Sequence, residues 1–79
     1  MSDGNQDSIS FEKQLGNRIK DIIEQKDLSL KEFGYRADLE KQNVNRLLSG
    51  KTNPTLRTLR RIASALEMPL SKLLDGLTE

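Results

Sequence analysis

Apolar residues recur at spacings of three or four along most of this chain, and no segment alternates apolar with polar residues. The first such series consists of Phe11, Leu15, Ile19, Ile22 and Ile23. Spacings of three and four place side chains on one stripe of an α-helix, whereas a half-buried strand requires alternation. The sequence therefore predicts an all-α protein whose first helix runs to about Lys26.

A pair of short helices is predicted next. Ser29 and Glu32 have the capping-box spacing, in which the hydroxyl and the carboxylate each bind a backbone amide at a helix start. The inner face of this second helix is expected to consist of Leu30, Phe33, Gly34 and Ala37. Asp38 follows where the chain has to turn, and aspartate can adopt the left-handed backbone conformation at some cost in strain.

The third helix is predicted over residues 41–48, with Gly50 as its end. Its apolar residues, which we expect to face inward, are Val44, Leu47 and Leu48. The outward side of this helix then carries Lys41, Gln42, Asn45 and Arg46.

Two more helices complete the predicted five-helix bundle. Pro54 breaks any helix, and Thr55 can cap a fourth one. The apolar face of that helix is assigned to Leu56, Leu59, Ile62, Ala63 and Leu66. After Pro69, a short fifth helix is predicted from Leu70, Leu73 and Leu74.

The length and composition narrow the possibilities further. Residues 1–10 are mostly polar, with one isoleucine, and are predicted to be a flexible tail, which leaves residues 11–79 as one domain. The chain has no cysteine and no histidine, which removes disulfides and the most common general base and metal ligand. No catalytic motif and no apolar run long enough for a membrane span is present. We expect a cytoplasmic, non-enzymatic protein without a cofactor, a metal or a small-molecule substrate.

Charge is distributed unevenly along the sequence. Residues 41–66 contain six basic residues and no acidic one, whereas the rest of the chain contains seven basic and twelve acidic residues. A basic segment in an otherwise acidic chain favours a polyanionic partner at one face. The alternative is a solvated helix face, which is the more common reason for a run of charge.

Two short helices about three residues apart, the second with a polar outer face, are typical of a helix-turn-helix. Several stretches also resemble the Xre/Cro-like phage-repressor family: LGNRIK at 15–20, LS at 28–29, GKTNPTL at 50–56 and LRRIASAL at 59–66. The resemblance spans residues 15–74 without gaps. It implies a five-helix, lambda-repressor-like domain that binds double-stranded DNA.

The resemblance places the side chains that read DNA bases on the third helix, at Lys41, Gln42, Asn45 and Arg46, with Asn43 nearby. Their chemistry agrees, because arginine and lysine can donate to guanine, and glutamine and asparagine can pair with adenine. Arg46 and Gln42 are expected to carry most of the discrimination. The alternative for each residue alone is an ordinary solvated side chain.

Phosphate contacts are expected from groups that flank the third helix. These candidates are Arg18, the backbone amides near Ser29, Lys51, Thr52, Asn53 and Arg57. For Arg18 the alternative is a surface ion pair with Asp21 or Glu12. Arg60 and Arg61 are also candidates for phosphate contacts, but for them the alternative is simple solvation of the fourth helix.

The sequence departs from the family pattern at several positions. Leu30 stands where the family usually has a glutamine that binds phosphate. Glu40 stands where a serine or threonine commonly caps the third helix, and Asp38 stands where the family usually has the glycine of the turn. Ile23 and Leu48 together replace a buried arginine–glutamate bridge, a change that can be neutral or stabilising when both partners change. These departures affect affinity and docking rather than the fold.

The predicted function is a sequence-specific transcriptional regulator. A single recognition helix covers few base pairs, so two copies on neighbouring half-sites are expected. The homodimer is predicted to form through the fourth and fifth helices, with Met68, Leu70, Leu73, Leu74 and Leu77. For Leu70 and Leu73 the preferred alternative is closure of the monomer core. The alternative function is an antitoxin or adaptor whose main partner is another protein.

Overall fold

Five α-helices and no strand make up residues 9–78, the part of the chain that this computed structural model describes. The helices are α1 (Phe11–Gln25), α2 (Leu30–Ala37), α3 (Lys41–Leu48), α4 (Leu56–Ala65) and α5 (Leu70–Leu73). The all-α prediction and the order of the helices are confirmed. Of the predicted tail, residues 1–8 lie outside the described residues, as does Glu79.

Three helices begin at a side chain that accepts a hydrogen bond from a backbone amide. Ser10 caps α1 through the Lys13 amide at 3.1 Å, although the sequence analysis assigned Ser10 to the tail. Ser29 caps α2 as predicted, and its hydroxyl oxygen lies 3.0 Å from the Glu32 nitrogen. The other half of the predicted capping box is absent, because the Glu32 carboxylate accepts a bond from Arg36 Nε at 3.0 Å instead. Thr55 caps α4 as predicted.

The ends of four helices share a left-handed residue that reverses the chain. Asp27, Asp38, Gly50 and Glu67 have φ values between 55° and 76°. After each of them, the next backbone amide donates to a carbonyl five residues earlier, as in Leu39 N to Gly34 O at 2.8 Å and Met68 N to Ala63 O at 3.0 Å. This Schellman arrangement satisfies carbonyls that the helix itself leaves without a donor. This conformation was predicted for Asp38 but not for Asp27 or Glu67.

The core lies where α1 packs against α3 and α2 packs against α4. Its largest fully buried side chains are Phe33, Leu15, Ile19, Ile62, Leu66 and Leu73. Two assignments to the inner faces are wrong, because Leu30 is 47% exposed and Leu56 is 64% exposed. Each is the first residue of its helix, so its side chain lies beyond the edge of the core that the later turns bury.

Leu73, one of the residues predicted at a dimer interface, is fully buried and closes the monomer core. The other four, Met68, Leu70, Leu74 and Leu77, are partly buried and pack against that core. Among residues 9–78, no helix combines the length and the apolar character that crossing a bilayer requires.

Candidate nucleic-acid interface

The helix α3 divides sharply into a buried and an exposed side. Val44, Leu47 and Leu48 are buried, as predicted. All five predicted base-reading side chains are exposed: Lys41, Gln42, Asn43, Asn45 and Arg46. Because successive helical residues are rotated by about 100°, Gln42 and Arg46 point most directly away from the buried side. The structure thus places the whole predicted group on the exposed side of α3, a helix that itself contains no acidic residue.

The five side chains divide according to their neighbours. Lys41 and Asn45 border a groove between α2 and α3. Asn43 borders a second depression on the other side of α3, together with Thr52 and Asn53 of the following loop. The carboxylate of Glu40 borders the same depression as Gln42, and no side-chain hydrogen bond from Glu40 caps α3. A negative charge therefore lies at the edge of this otherwise cationic surface.

Two glycines let α1 approach the carboxyl end of α3. A Cβ atom at Gly16 would lie 2.6 Å from the Leu48 carbonyl oxygen and 2.7 Å from that of Leu47. At Gly50, whose φ is +76°, a Cβ atom would lie 2.7 Å from the Lys13 Cα. Real Cβ atoms do not approach backbone so closely, so any larger residue would displace one of the helices. These glycines fix the depth at which α3 rests on α1.

The apolar pair Ile23 and Leu48 lies at the same junction. Both side chains are buried, and both line one depression between α1 and the start of α2. This placement agrees with the expectation that they replace a buried ion pair together.

The loop after α3 continues the exposed polar surface. Lys51, Asn53 and Arg57 are exposed and Thr52 is half-buried. Arg46 Nη2 donates to the Lys51 carbonyl oxygen at 3.2 Å, and the Lys51 amide donates to the Arg46 carbonyl oxygen at 2.8 Å. The predicted phosphate-binding loop is thus joined directly to the predicted base-reading helix.

On the other side of α3, the start of α2 offers backbone donors. The Ser29 hydroxyl binds the Glu32 amide, whereas the first two amides of α2, those of Leu30 and Lys31, have no acceptor within the helix. Amides at a helix start favour an anion, because the helix dipole is positive there.

The helix-turn-helix family model (HTH_3) matches residues 19–73. The chain belongs to this helix-turn-helix family. The match confirms the resemblance to Xre/Cro-like regulators and makes the chain a DNA-binding protein of the transcription-regulator class.

Among solved structures, the restriction-modification controller protein C.AhdI from Aeromonas hydrophila matches with a TM-score of 0.73 and 24% sequence identity, over 80% of this chain and 94% of that one. That likeness shows a shared fold. A search of curated proteins finds no match.

The turn of this helix-turn-helix is held by a residue of α4 that sequence reasoning missed. Arg61 Nε donates to the Ala37 carbonyl oxygen at 3.2 Å, and its Nη2 lies 3.5 Å from the Asp38 carbonyl oxygen. The alternative of simple solvation is therefore wrong for Arg61. A cation at the carboxyl end of α2 also complements the helix dipole.

Arg18 makes an equivalent contact with the end of α5. Its Nη2 donates to the Lys72 carbonyl oxygen at 2.8 Å and its Nε to that of Leu73 at 3.2 Å. The structure shows Arg18 binding the end of α5, and among residues 9–78 it makes no ion pair with Asp21 or Glu12. The phosphate contact of Arg18 stays a prediction. No local sequence pattern indicates either set of bonds, because each joins elements distant in the chain.

Proposed function

We propose that this helix-turn-helix protein binds double-stranded DNA sequence-specifically and regulates transcription by placing α3 in the major groove. One observation carries the proposal: the exposed side of α3 consists of amides and cations, while its opposite side is buried against a fixed support. A major groove admits an α-helix and presents a distinct pattern of donors and acceptors for each base pair. The helix therefore has both the access and the chemistry that base reading requires.

Within this proposal the side chains of α3 have different roles. Gln42 and Arg46 point straight outward and carry most of the discrimination, each with about 1 to 3 kcal/mol against a wrong base. Lys41 and Asn45 read bases on the side of α2, and Asn43 on the side of the loop. Arg46 keeps four of its five N–H donors for a base while one binds Lys51.

Phosphate groups are bound on both sides of α3. We assign the loop side to Lys51, Thr52, Asn53 and Arg57, and the opposite side to the backbone amides that follow Ser29. Such contacts fix the position of the protein on the duplex without reading sequence. In this proposal residues 11–79 form the DNA-binding domain, and the protein acts in the cytoplasm as a regulator rather than as an enzyme.

The working form in this proposal is a homodimer. Two copies would bind half-sites about 34 Å apart, one turn of the duplex. The partly buried residues Met68, Leu74 and Leu77, near the end of α4 and in the α5 region, are the proposed contact surface, whereas Leu70 is assigned to the monomer core. Sedimentation that detects only monomer at micromolar concentration, with and without DNA, would refute this part.

The test is selection of bound duplexes from a random pool, followed by affinity measurements at increasing salt. Phosphate-driven binding predicts that log affinity falls by about 0.9 per phosphate for each unit of log salt concentration. Arg46→Ala should weaken binding at least about tenfold, the effect of losing a bidentate base contact. Lys26→Ala is the matched control, because Lys26 lies by Ala65 and Leu66, away from the proposed interface, and should change affinity little.

The outcome also separates DNA from a protein partner. Binding to a protein through apolar contacts would depend little on salt, as the antitoxin or adaptor alternative predicts. If no duplex is retained even at low ionic strength, the proposed function is wrong.

A further inference from the structure

An open groove lies between α2 and α3, next to the proposed base-reading side chains. Its volume is about 470 Å³. The apolar part is formed by Leu30, Gly34 and Val44, and the polar rim by Lys31, Lys41 and Asn45. The groove therefore offers an apolar floor inside a rim without acidic residues.

Gly34, which lines the groove, lets α2 pack closely on α3. A Cβ atom there would lie 3.1 Å from Val44 Cγ2, so the valine methyl group lies directly below the glycine. Leu30 stands one turn earlier on the same side of α2, and 47% of its surface is exposed. A single exposed leucine is ordinary on a protein surface. This one lies beside two residues of α3 that we propose to face bases.

We propose that this groove receives the 5-methyl group of a thymine in the major groove, and that Leu30 is the residue that recognises it. This inference rests on the function proposed above. Thymine is the only one of the four ordinary bases that presents a methyl group in the major groove, and apolar side chains recognise it by contact. Lys31 at the rim fits the polyanionic backbone that accompanies such a methyl group, and Lys41 beside it is a proposed base-reading residue.

The position of Leu30 in α2 supports the same occupant. Leu30 is the first residue of α2, so its backbone amide belongs to the proposed phosphate site while its side chain enters the groove. A duplex bound as proposed above, with a phosphate at that amide and bases at Lys41 and Asn45, would bring a base edge next to the groove. Leu30 thus adds a specificity contact on α2 to those on α3.

The experiment uses the full chain and the duplex selected by the wild-type protein from a random pool. Each thymine is replaced in turn by deoxyuridine, which removes only the methyl group. At one thymine position we expect the wild-type affinity to fall about fourfold, the effect of exposing one buried methyl group. Leu30→Ala should bind the thymine duplex about as weakly as wild type binds the uracil duplex, and should lose sensitivity to uracil at that position alone.

Tyr35→Ala is the matched control, since Tyr35 is on the same helix, is 83% exposed and does not line the groove. It should keep the fourfold sensitivity, and thermal melting verifies that both variants are folded. If every uracil replacement leaves wild-type affinity unchanged, or if Leu30→Ala keeps the same sensitivity, the inference is wrong and the proposed function still stands. If selection yields no bound duplex at all, both are overturned.

Discussion

Replacing Gly16 by alanine tests whether the contact between α1 and α3 is as close as the structure shows. The added Cβ would lie 2.6 Å and 2.7 Å from two backbone carbonyl oxygens and 2.9 Å from the Leu48 carbonyl carbon. These atoms belong to helical backbone and cannot rotate away, so the two helices have to separate by several tenths of an ångström. Such overpacking costs about 3 kcal/mol, the upper part of the usual range. Alanine recovers about 1 kcal/mol of helix propensity, which leaves a net loss of about 2 kcal/mol.

The assay is thermal unfolding followed by circular dichroism, together with DNA affinity. A loss of about 2 kcal/mol corresponds to a fall in Tm of roughly 8 to 16 °C for a domain of this size. Gly34→Ala is the graded comparison, because its Cβ would meet atoms at 3.0 Å and 3.1 Å, one of them a methyl group that can move, and it should cost less. A Tm of Gly16→Ala at or above the wild-type value, as an uncrowded helical glycine would give, would refute this reasoning.

Three other substitutions test the remaining contacts by the same melting assay. Leu48→Glu should cost about 3 kcal/mol or more, because it buries an unpaired charge, and adding Ile23→Arg should restore part of the loss; an unchanged Tm for the single variant would show that the two side chains are not packed together. Glu67→Gly should raise stability by about 1 kcal/mol, because it relieves a left-handed glutamate at the end of α4, whereas the control Glu24→Gly within α1 should lower it. Arg61→Ala should cost about 1 to 2 kcal/mol through its bonds to the turn, and equal losses for the exposed neighbour Arg60→Ala would contradict that role.

The helices themselves could be predicted from sequence because their determinants are local. The spacing of apolar residues fixes which side of α1 or α3 is buried, and Ser29 and Thr55 mark helix starts through bonds to amides three residues away. The predicted inner faces were wrong at Leu30 and Leu56, because the spacing of apolar residues gives the direction of a side chain but not the point along the helix at which the core ends. That limit depends on the neighbouring helix.

The contacts that orient the interface could not be predicted in the same way. Arg61 reaches α2 across 24 residues of sequence, and Arg18 reaches α5 across more than 50. Gly16 stands in a stretch that resembles the family. The structure requires a glycine there because a Cβ atom would collide with the backbone of Leu47 and Leu48. Each of these residues acts through a partner that only the folded chain brings near.

The division of α3 into two sides determines how variants of the proposed interface can be interpreted. Exposed substitutions normally change stability by less than about 0.5 kcal/mol, so a tenfold loss of DNA affinity in such a variant measures a lost contact with DNA rather than unfolding. Gln42 meets this condition, because its side chain is exposed on the side of α3 opposite the buried residues. Arg46 differs, since its bond to Lys51 also holds the loop that we assign to phosphate. Gln42→Ala should therefore lower affinity with little change in the salt dependence, whereas Arg46→Ala should alter both.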